Sequence, residues 1–238
     1  PGGGGRHGLV GMGDGAAALV STDRGRPGGA LGDLAALSFH ETKNVIAGEG
    51  GALLVNDRAL ASRAEIVWEK GTNRAQFFRG EIEKYTWVDV GSSFLPGEIV
   101  AAFLWAQMIE ADVITQRRLA MWDRYHRAFE ALEVAGTVRR PIIPADRTHN
   151  AHMYYLLLSS LAARTAFISA LSEQGIGAVF HYVPLHSSPM GCERGRASGD
   201  LAVTTDVSNR LVRLPLWIGL EGRLDEVIEI VYEVSSRL

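Results

Sequence analysis

Apolar runs alternate with glycine-rich or charged breaks along this chain, and the period of each run predicts its element. Leu34-Ala-Ala-Leu-Ser-Phe39 reads as a short buried strand. Residues 40–50 read as a loop, and Gly51-Ala-Leu-Leu-Val55 as a second buried strand closed by Asn56-Asp57. Asp57 is placed to cap a helix over 58–70, with Leu60, Ala64 and Val67 on one face and Gly71 as its stop. Residues 72–96 show no period. They hold Phe77, Phe78, Arg79, Lys84, Tyr85 and Trp87, and a loop this long points to function or to a partner. Residues 97–134 predict two helices or one long bent helix. One stripe carries Ile99, Ala102, Phe103, Ala106 and Ile109, and the next carries Leu119, Trp122, Tyr125, Phe129 and Leu132.

The remainder predicts a strand at 153–158, a helix at 163–174 ended by Gly175 and a strand at 176–182. A loop at 183–200, a helix at 203–212 and a last helix from Leu224 complete it. Strands alternating with helices imply an α/β fold. The expected division is a disordered Gly-rich lead-in at 1–9, a sheet domain at 10–115 and a small α/β domain at 116–238.

Charge and composition narrow the classes. Lys and Arg number 24 against 27 Asp and Glu, a net charge of −3 with no basic run, which argues against a nucleic-acid binder. A single cysteine, Cys192, excludes a disulfide scaffold. No apolar run reaches the roughly 20 residues needed to span a membrane. Residues 1–10 lack the apolar core of a signal peptide. These features lead to the expectation of a cytoplasmic protein.

Four places could carry chemistry. Lys43 follows a strand and precedes Gly48-Glu-Gly-Gly51, and ligands of α/β proteins sit at such strand ends. A desolvated lysine there is a nucleophilic amine; a solvated loop lysine is the plainer alternative. Asp14 ends a short apolar run and could pair with a pyridinium N–H, or simply cap a helix. Ser38 and Ser93 carry hydroxyls of the kind that hold phosphate. His181, Tyr182 and His186 could line a cleft or merely pack; their spacing does not suit a metal.

Taken together, ordered segments carry a resemblance. They include Ser38-Phe-His-Glu-Thr-Lys-Asn44, Gly48-Glu-Gly-Gly51, Glu69-Lys-Gly-Thr-Asn-Arg74 and Asp89-Val-Gly-Ser-Ser93. Asn150-Ala-His-Met153, Phe180-His-Tyr-Val-Pro-Leu-His186 and Leu214-Pro-Leu216 continue the series. From about Asp14 onward the chain resembles the DegT-type sugar-nucleotide aminotransferases. The match is best to the subgroup that forms dTDP-4-amino-4,6-dideoxygalactose. The resemblance implies the aspartate-aminotransferase fold (fold type I), pyridoxal 5′-phosphate (PLP) as cofactor and a homodimer. It implies transfer of the amino group of L-glutamate to C4 of a dTDP-4-keto-6-deoxy-hexose, on a route to a cell-surface glycan. A related keto-sugar nucleotide, or a non-catalytic remnant, is the alternative.

Residue by residue, the resemblance makes Lys43 the Schiff-base lysine and Asp14 the partner of the pyridine nitrogen. Ser38 binds phosphate from the same chain, and Ser93 reaches it from the neighbouring subunit. His181, Tyr182 and His186 approach the sugar-nucleotide, with Arg79, Lys84 and Arg74 as donors for its diphosphate. Two features depart from the family: Ala17 stands where a glutamine is usual, and complete members extend well over a hundred residues further N-terminal. A lysine at position 43 argues against the dehydratases of this fold, which carry histidine there.

Overall fold

The computed structural model describes residues 7–237. Most of the expected lead-in, residues 1–6, lies outside them. In chain order the strands are β1 (Met12–Asp14), β2 (Thr22–Asp23), β3 (Arg26–Pro27), β4 (Leu34–Ser38), β5 (Gly51–Val55), β6 (Arg147–Thr148), β7 (Tyr154–Leu157), β8 (Val179–Phe180) and β9 (Leu211–Leu214). The helices are α1 (Ala61–Trp68), α2 (Arg74–Phe78), α3 (Glu98–Ile109), α4 (Ala111–Ala128), α5 (Glu130–Val134), α6 (Leu161–Glu173), α7 (Pro189–Arg194), α8 (Ala202–Arg210) and α9 (Leu224–Ser235). The chain divides into two compact units: residues up to Ile114 with Ala145–Asn150, and Thr115–Pro144 with Ala151 onward.

In the first unit β4 is the central strand, parallel to β1 and antiparallel to β5. Ala35 is buried in its middle, where a small side chain lets the layers close up. The loop after β4 is compact. Phe39 N–H donates to the Gly50 carbonyl, Glu41 N–H to Gly48, and Ala47 N–H to Phe39. Phe39, Val45 and Ala47 fold inward against Ala111, Val100 and Leu104, so apolar burial holds the loop in shape. A second small sheet orders β3-β2-β6, and Thr22 and Thr148 hydroxyls meet across it at 2.7 Å.

Asp57 caps as expected, its Oδ1 accepting from Ala59 N–H at 2.9 Å, although the first turn is a 3₁₀ helix before α1 begins. The stretch at 72–96 is not a plain loop. It contains α2 and folds back through bridges from Glu69 to Ser93 and from Thr72 to Trp87. Gly71 makes this return possible. Its φ is +75°, and a Cβ there would lie 1.8 Å from the Asp89 carbonyl oxygen. Its own carbonyl accepts from Val88 and Asp89 N–H. Gly71→Ala is therefore expected to cost roughly 2 kcal/mol or more. A drop in the urea midpoint checks it; an unchanged midpoint contradicts it.

The helical stretch 97–134 breaks into three helices rather than two, at Glu110 and Phe129. The expected stripe on α3 is not its buried face. Ile99 is 87% exposed, Phe103 and Ile109 are also exposed, and Val100 and Leu104 face the core instead. The helix is apolar nearly all round, so periodicity could not choose a face.

In the second unit all strands are antiparallel, with β9 between β7 and β8. Tyr154, Leu156, Val212 and Leu214 form the core face of this sheet. Trp122, Tyr125, Phe129 and Leu132 of the expected second stripe pack on it together with Met121, as do Phe167 and Leu171 of α6. The last helix buries Leu224, Val227, Val231 and Val234, one stripe at helical spacing. Ser160 Oγ caps α6 by accepting from Ala163 N–H. Three expectations change here. The helix expected over 203–212 ends at Arg210, and residues 211–214 are the central strand. The strand expected over 176–182 shortens to Val179–Phe180, and the loop expected at 183–200 contains α7.

Candidate active site

Parallel pairing gives β1 and β4 a common C-terminal edge. Asp14 ends β1 opposite Ala36, and Ser38 ends β4 two residues further on. Registered partners share a face and so do alternate residues, which puts Asp14 and Ser38 on one face of the sheet. Strand spacing and rise set their Cα atoms roughly 8 Å apart. Beyond Ser38 the chain turns, Lys43 N–H donating to the His40 carbonyl at 2.9 Å. Lys43 is half-buried in that turn, just past the edge that Asp14 ends.

The polar valences are left open in a useful way. Asp14 Oδ1 accepts from Ala16 N–H at 3.0 Å, so Oδ2 remains available on an exposed carboxylate. Ser38 Oγ accepts from His40 N–H at 3.3 Å and keeps its own O–H as a donor. Lys43 carries no carboxylate partner among the described residues. His40 is held by Thr42 through Nδ1 and lies 3.7 Å from the Glu49 carboxylate. An amine without an acid partner, a carboxylate with a spare oxygen and a free hydroxyl donor fit PLP: aldehyde, ring nitrogen and phosphate respectively.

Asn150 ties this edge together and lay outside the residues singled out from the sequence for a role. Its Nδ2 donates to the carbonyls of Ala17 and Leu19, both at 2.8 Å, just after Asp14. Its carbonyl accepts from Asn44 Nδ2 at 2.6 Å, next to Lys43. One buried residue thus holds the Asp14 segment and the Lys43 loop, across more than a hundred residues of chain. Val20, beside the clamp, is held at φ +66°, a costly conformation for a β-branched residue.

The three cationic candidates differ. Arg79 forks onto Glu65 at 2.9 and 3.0 Å and also binds Glu81 at 2.7 Å. The hydrogen bond with Glu81, then that with Glu65, raises its pKa above the usual guanidinium range. Arg74 is held by Glu69 at 2.7 Å and lies over the Phe78 ring. Both charges are already answered. Lys84 is exposed and has no carboxylate partner among the described residues. Ser93 is exposed, its backbone bridged to Glu69.

In the second unit, His181 and Tyr182 follow β8 and converge on Arg213 of β9, which sequence reasoning passed over. Arg213 Nη1 donates to His181 Nδ1 at 2.9 Å and lies 3.4 Å from Tyr182 OH. The only signal for it was an arginine inside an apolar run, Leu211-Val-Arg-Leu214. His186 sits in the 3₁₀ turn Leu185–Ser187, its Nε2 3.2 Å from Thr205 Oγ1.

Residues 4–234 match the model of the DegT/DnrJ/EryC1/StrS aminotransferase family. The chain is 30% identical to the spore coat polysaccharide biosynthesis protein SpsC of Bacillus subtilis, over 96% of this chain and 60% of that one. It is 27% identical to the dTDP-4-dehydro-2,3,6-trideoxy-D-glucose 4-aminotransferase of Saccharopolyspora spinosa, over 90% and 55%. It superposes on Streptomyces venezuelae DesV, solved with a ketimine intermediate, with a TM-score of 0.83 and 27% identity over 98% and 60%. The chain thus spans little more than half the length of the relatives it matches. The fold is that of fold type I sugar aminotransferases. The match along nearly the whole chain places the protein in the DegT/DnrJ/EryC1/StrS aminotransferase family.

Proposed function

We propose that this chain forms the lysine-bearing part of a PLP-dependent sugar-nucleotide aminotransferase. The observation that carries the reading is the common edge of β1 and β4, which Asp14 and Ser38 end, with Lys43 in the turn that follows β4. Residues 10–114, joined by Ala145–Asn150 rather than by a simple cut at 115, then belong to the cofactor-binding domain, and Thr115–Pro144 with Ala151 onward to the small domain. When bound, PLP supplies the electron sink that stabilises a carbanion. Lys43 Nζ would remove the proton from Cα of the amino donor and, in the second half-reaction, deliver one to the sugar carbon. Asp14 would keep a ring N–H charged through its spare oxygen, and Ser38 would donate to phosphate. His181 and Tyr182 would meet the sugar-nucleotide, His186 would lie along the same approach, and Lys84 would meet the diphosphate.

The finer reading is that L-glutamate donates to C4 of a dTDP-4-keto-6-deoxy-hexose, giving dTDP-4-amino-4,6-dideoxygalactose, in the cytoplasm. Support comes from relatives named for C4 amination of a dTDP sugar and for UDP-4-amino-4,6-dideoxy-N-acetyl-β-L-altrosamine. A relative named for a 3-amino dTDP sugar keeps C3 open. Incubation with PLP, L-glutamate and a panel of 3- and 4-keto sugar nucleotides tests this. Amination of the 4-keto dTDP sugar alone is expected; preference for another keto sugar would reassign the substrate.

A homodimer is part of the same reading. Trp87, Phe94, Ile99 and Trp105 of the first unit are each more than 60% exposed, a large apolar display for a lone chain. Light scattering is expected to return twice the 25.8 kDa chain mass. A monomer counts against the dimer, and against Ser93 serving a neighbour's phosphate.

A further inference from the structure

His40 stands between Ser38 and Lys43 and is bonded to both. Its N–H donates to Ser38 Oγ at 3.3 Å, and its carbonyl accepts from Lys43 N–H at 2.9 Å. It also bridges to Gly48 on the returning arm of the loop. Any residue could supply those backbone groups, but the ring adds a bond that few side chains can make. Its Nδ1 accepts from Thr42 N–H at 3.2 Å and lies 2.9 Å from Thr42 Oγ1. Asparagine and aspartate close an Asx-turn in the same way, the side chain taking the N–H two residues on. Here an imidazole nitrogen closes the turn, one residue before Lys43.

An imidazole brings what an amide does not, a choice of charge. A ring nitrogen that accepts an N–H carries no proton, so the ring that closes this turn is neutral, with its proton on Nε2. When the ring takes a second proton, Nδ1 becomes a donor. It can still meet Thr42 Oγ1, but it then opposes the Thr42 N–H, which loses its acceptor. The Glu49 carboxylate, 3.7 Å from Nε2, favours the charged ring, yet its side chain is 87% exposed and solvent screens most of that pull. Glu41 and Lys43 are the charged neighbours within the turn. The helices packed on this loop reach it through Val100, Leu104 and Ala111, which bring no charge.

We propose that His40 is a positioning residue for Lys43: its neutral ring, by accepting the Thr42 N–H, holds the turn that carries the amine, and protonation of the ring releases that turn. The consequence for cofactor capture rests on the aminotransferase reading; the switch in the turn does not. Acid then weakens capture by a route separate from protonation of Lys43 itself, and the two are told apart by replacing the ring with a side chain that accepts but does not titrate.

Solution NMR of the chain without added PLP tests the switch, in the wild type, His40→Asn and His40→Ala. At about pH 8, above the range in which histidines change charge, the His40 ring is expected to carry its proton on Nε2. Protection of the Thr42 amide from solvent exchange, corrected for the intrinsic effect of pH, should fall about two- to tenfold from about pH 8 to about pH 5, the worth of one hydrogen bond. His40→Asn should keep the protection at both pH values, because Oδ1 takes the same N–H and does not titrate. His40→Ala should be low at both. With PLP added, the yield fixed on Lys43 by borohydride at about pH 8 should drop by a similar factor in His40→Ala and recover in His40→Asn. If His40→Ala does not fold, the comparison of wild type with His40→Asn across pH decides. A proton on Nδ1, the same pH response in wild type and His40→Asn, or full capture by a folded His40→Ala overturns the proposal. The expected exchange pattern in a chain that captures no PLP would instead sink the aminotransferase reading and leave the switch standing.

Discussion

Replacing Lys43 by alanine is expected to abolish capture of PLP and to lower aminotransfer at least about a thousandfold. Two roles fall together: the amine that holds the cofactor and the base that moves the Cα proton, the latter alone commonly worth ~10²–10⁴ in rate. Lys43→Arg is expected to fail equally, because a guanidinium stays protonated and is no nucleophile. Folding should hardly notice. Lys43 is half-buried in a loop held by Phe39, Val45 and Ala47, and breaks no ion pair when removed. A stability change within about 0.5 kcal/mol is expected. Thermal melts beside PLP absorbance separate the two effects. A variant that still captures the cofactor in a borohydride-stable form would remove Lys43 from its role.

Asn150→Ala carries the second large effect, and here stability and cofactor capture should fall together. The substitution strips two donors from the carbonyls of Ala17 and Leu19. Part-buried carbonyls left without partners cost about 1–3 kcal/mol. The positive φ of Val20 loses the restraint that balances it. The Asp14 segment then comes loose from the Lys43 loop, which reaches the clamp through Asn44. Asn150→Asp should be no better, since an ionised carboxylate has no N–H to give. Urea unfolding and the yield of PLP fixed by borohydride are the measurements. Full stability in Asn150→Ala would show that the clamp does not hold the first unit.

Local pattern made much of this fold legible. The runs at Leu34 and Gly51 form the two paired strands, and Asp57 caps the following helix as its position implied. The stripe through Trp122, Tyr125 and Phe129 lies in the core because those residues repeat at helical spacing against polar neighbours. β9 was hidden because Leu211-Val-Arg-Leu214 follows α8 without a break, and a four-residue apolar run continues a helix as readily as it forms a strand. The face of α3 was unreadable because that helix is apolar all round. Asp14, Ser38 and Lys43 could be singled out by type and by resemblance, but their common edge depends on the parallel pairing of β1 with β4. Asn150 and Arg213 act through contacts between distant stretches of chain, which no local period encodes.

The most direct test of the cofactor site is the absorbance spectrum of the purified chain with PLP, before and after borohydride, with the labelled peptide identified by mass. The account predicts a near-visible band that borohydride bleaches, leaving the label on Lys43. No band, or a label spread over other lysines, would contradict the claim that Asp14, Ser38 and Lys43 form a cofactor site.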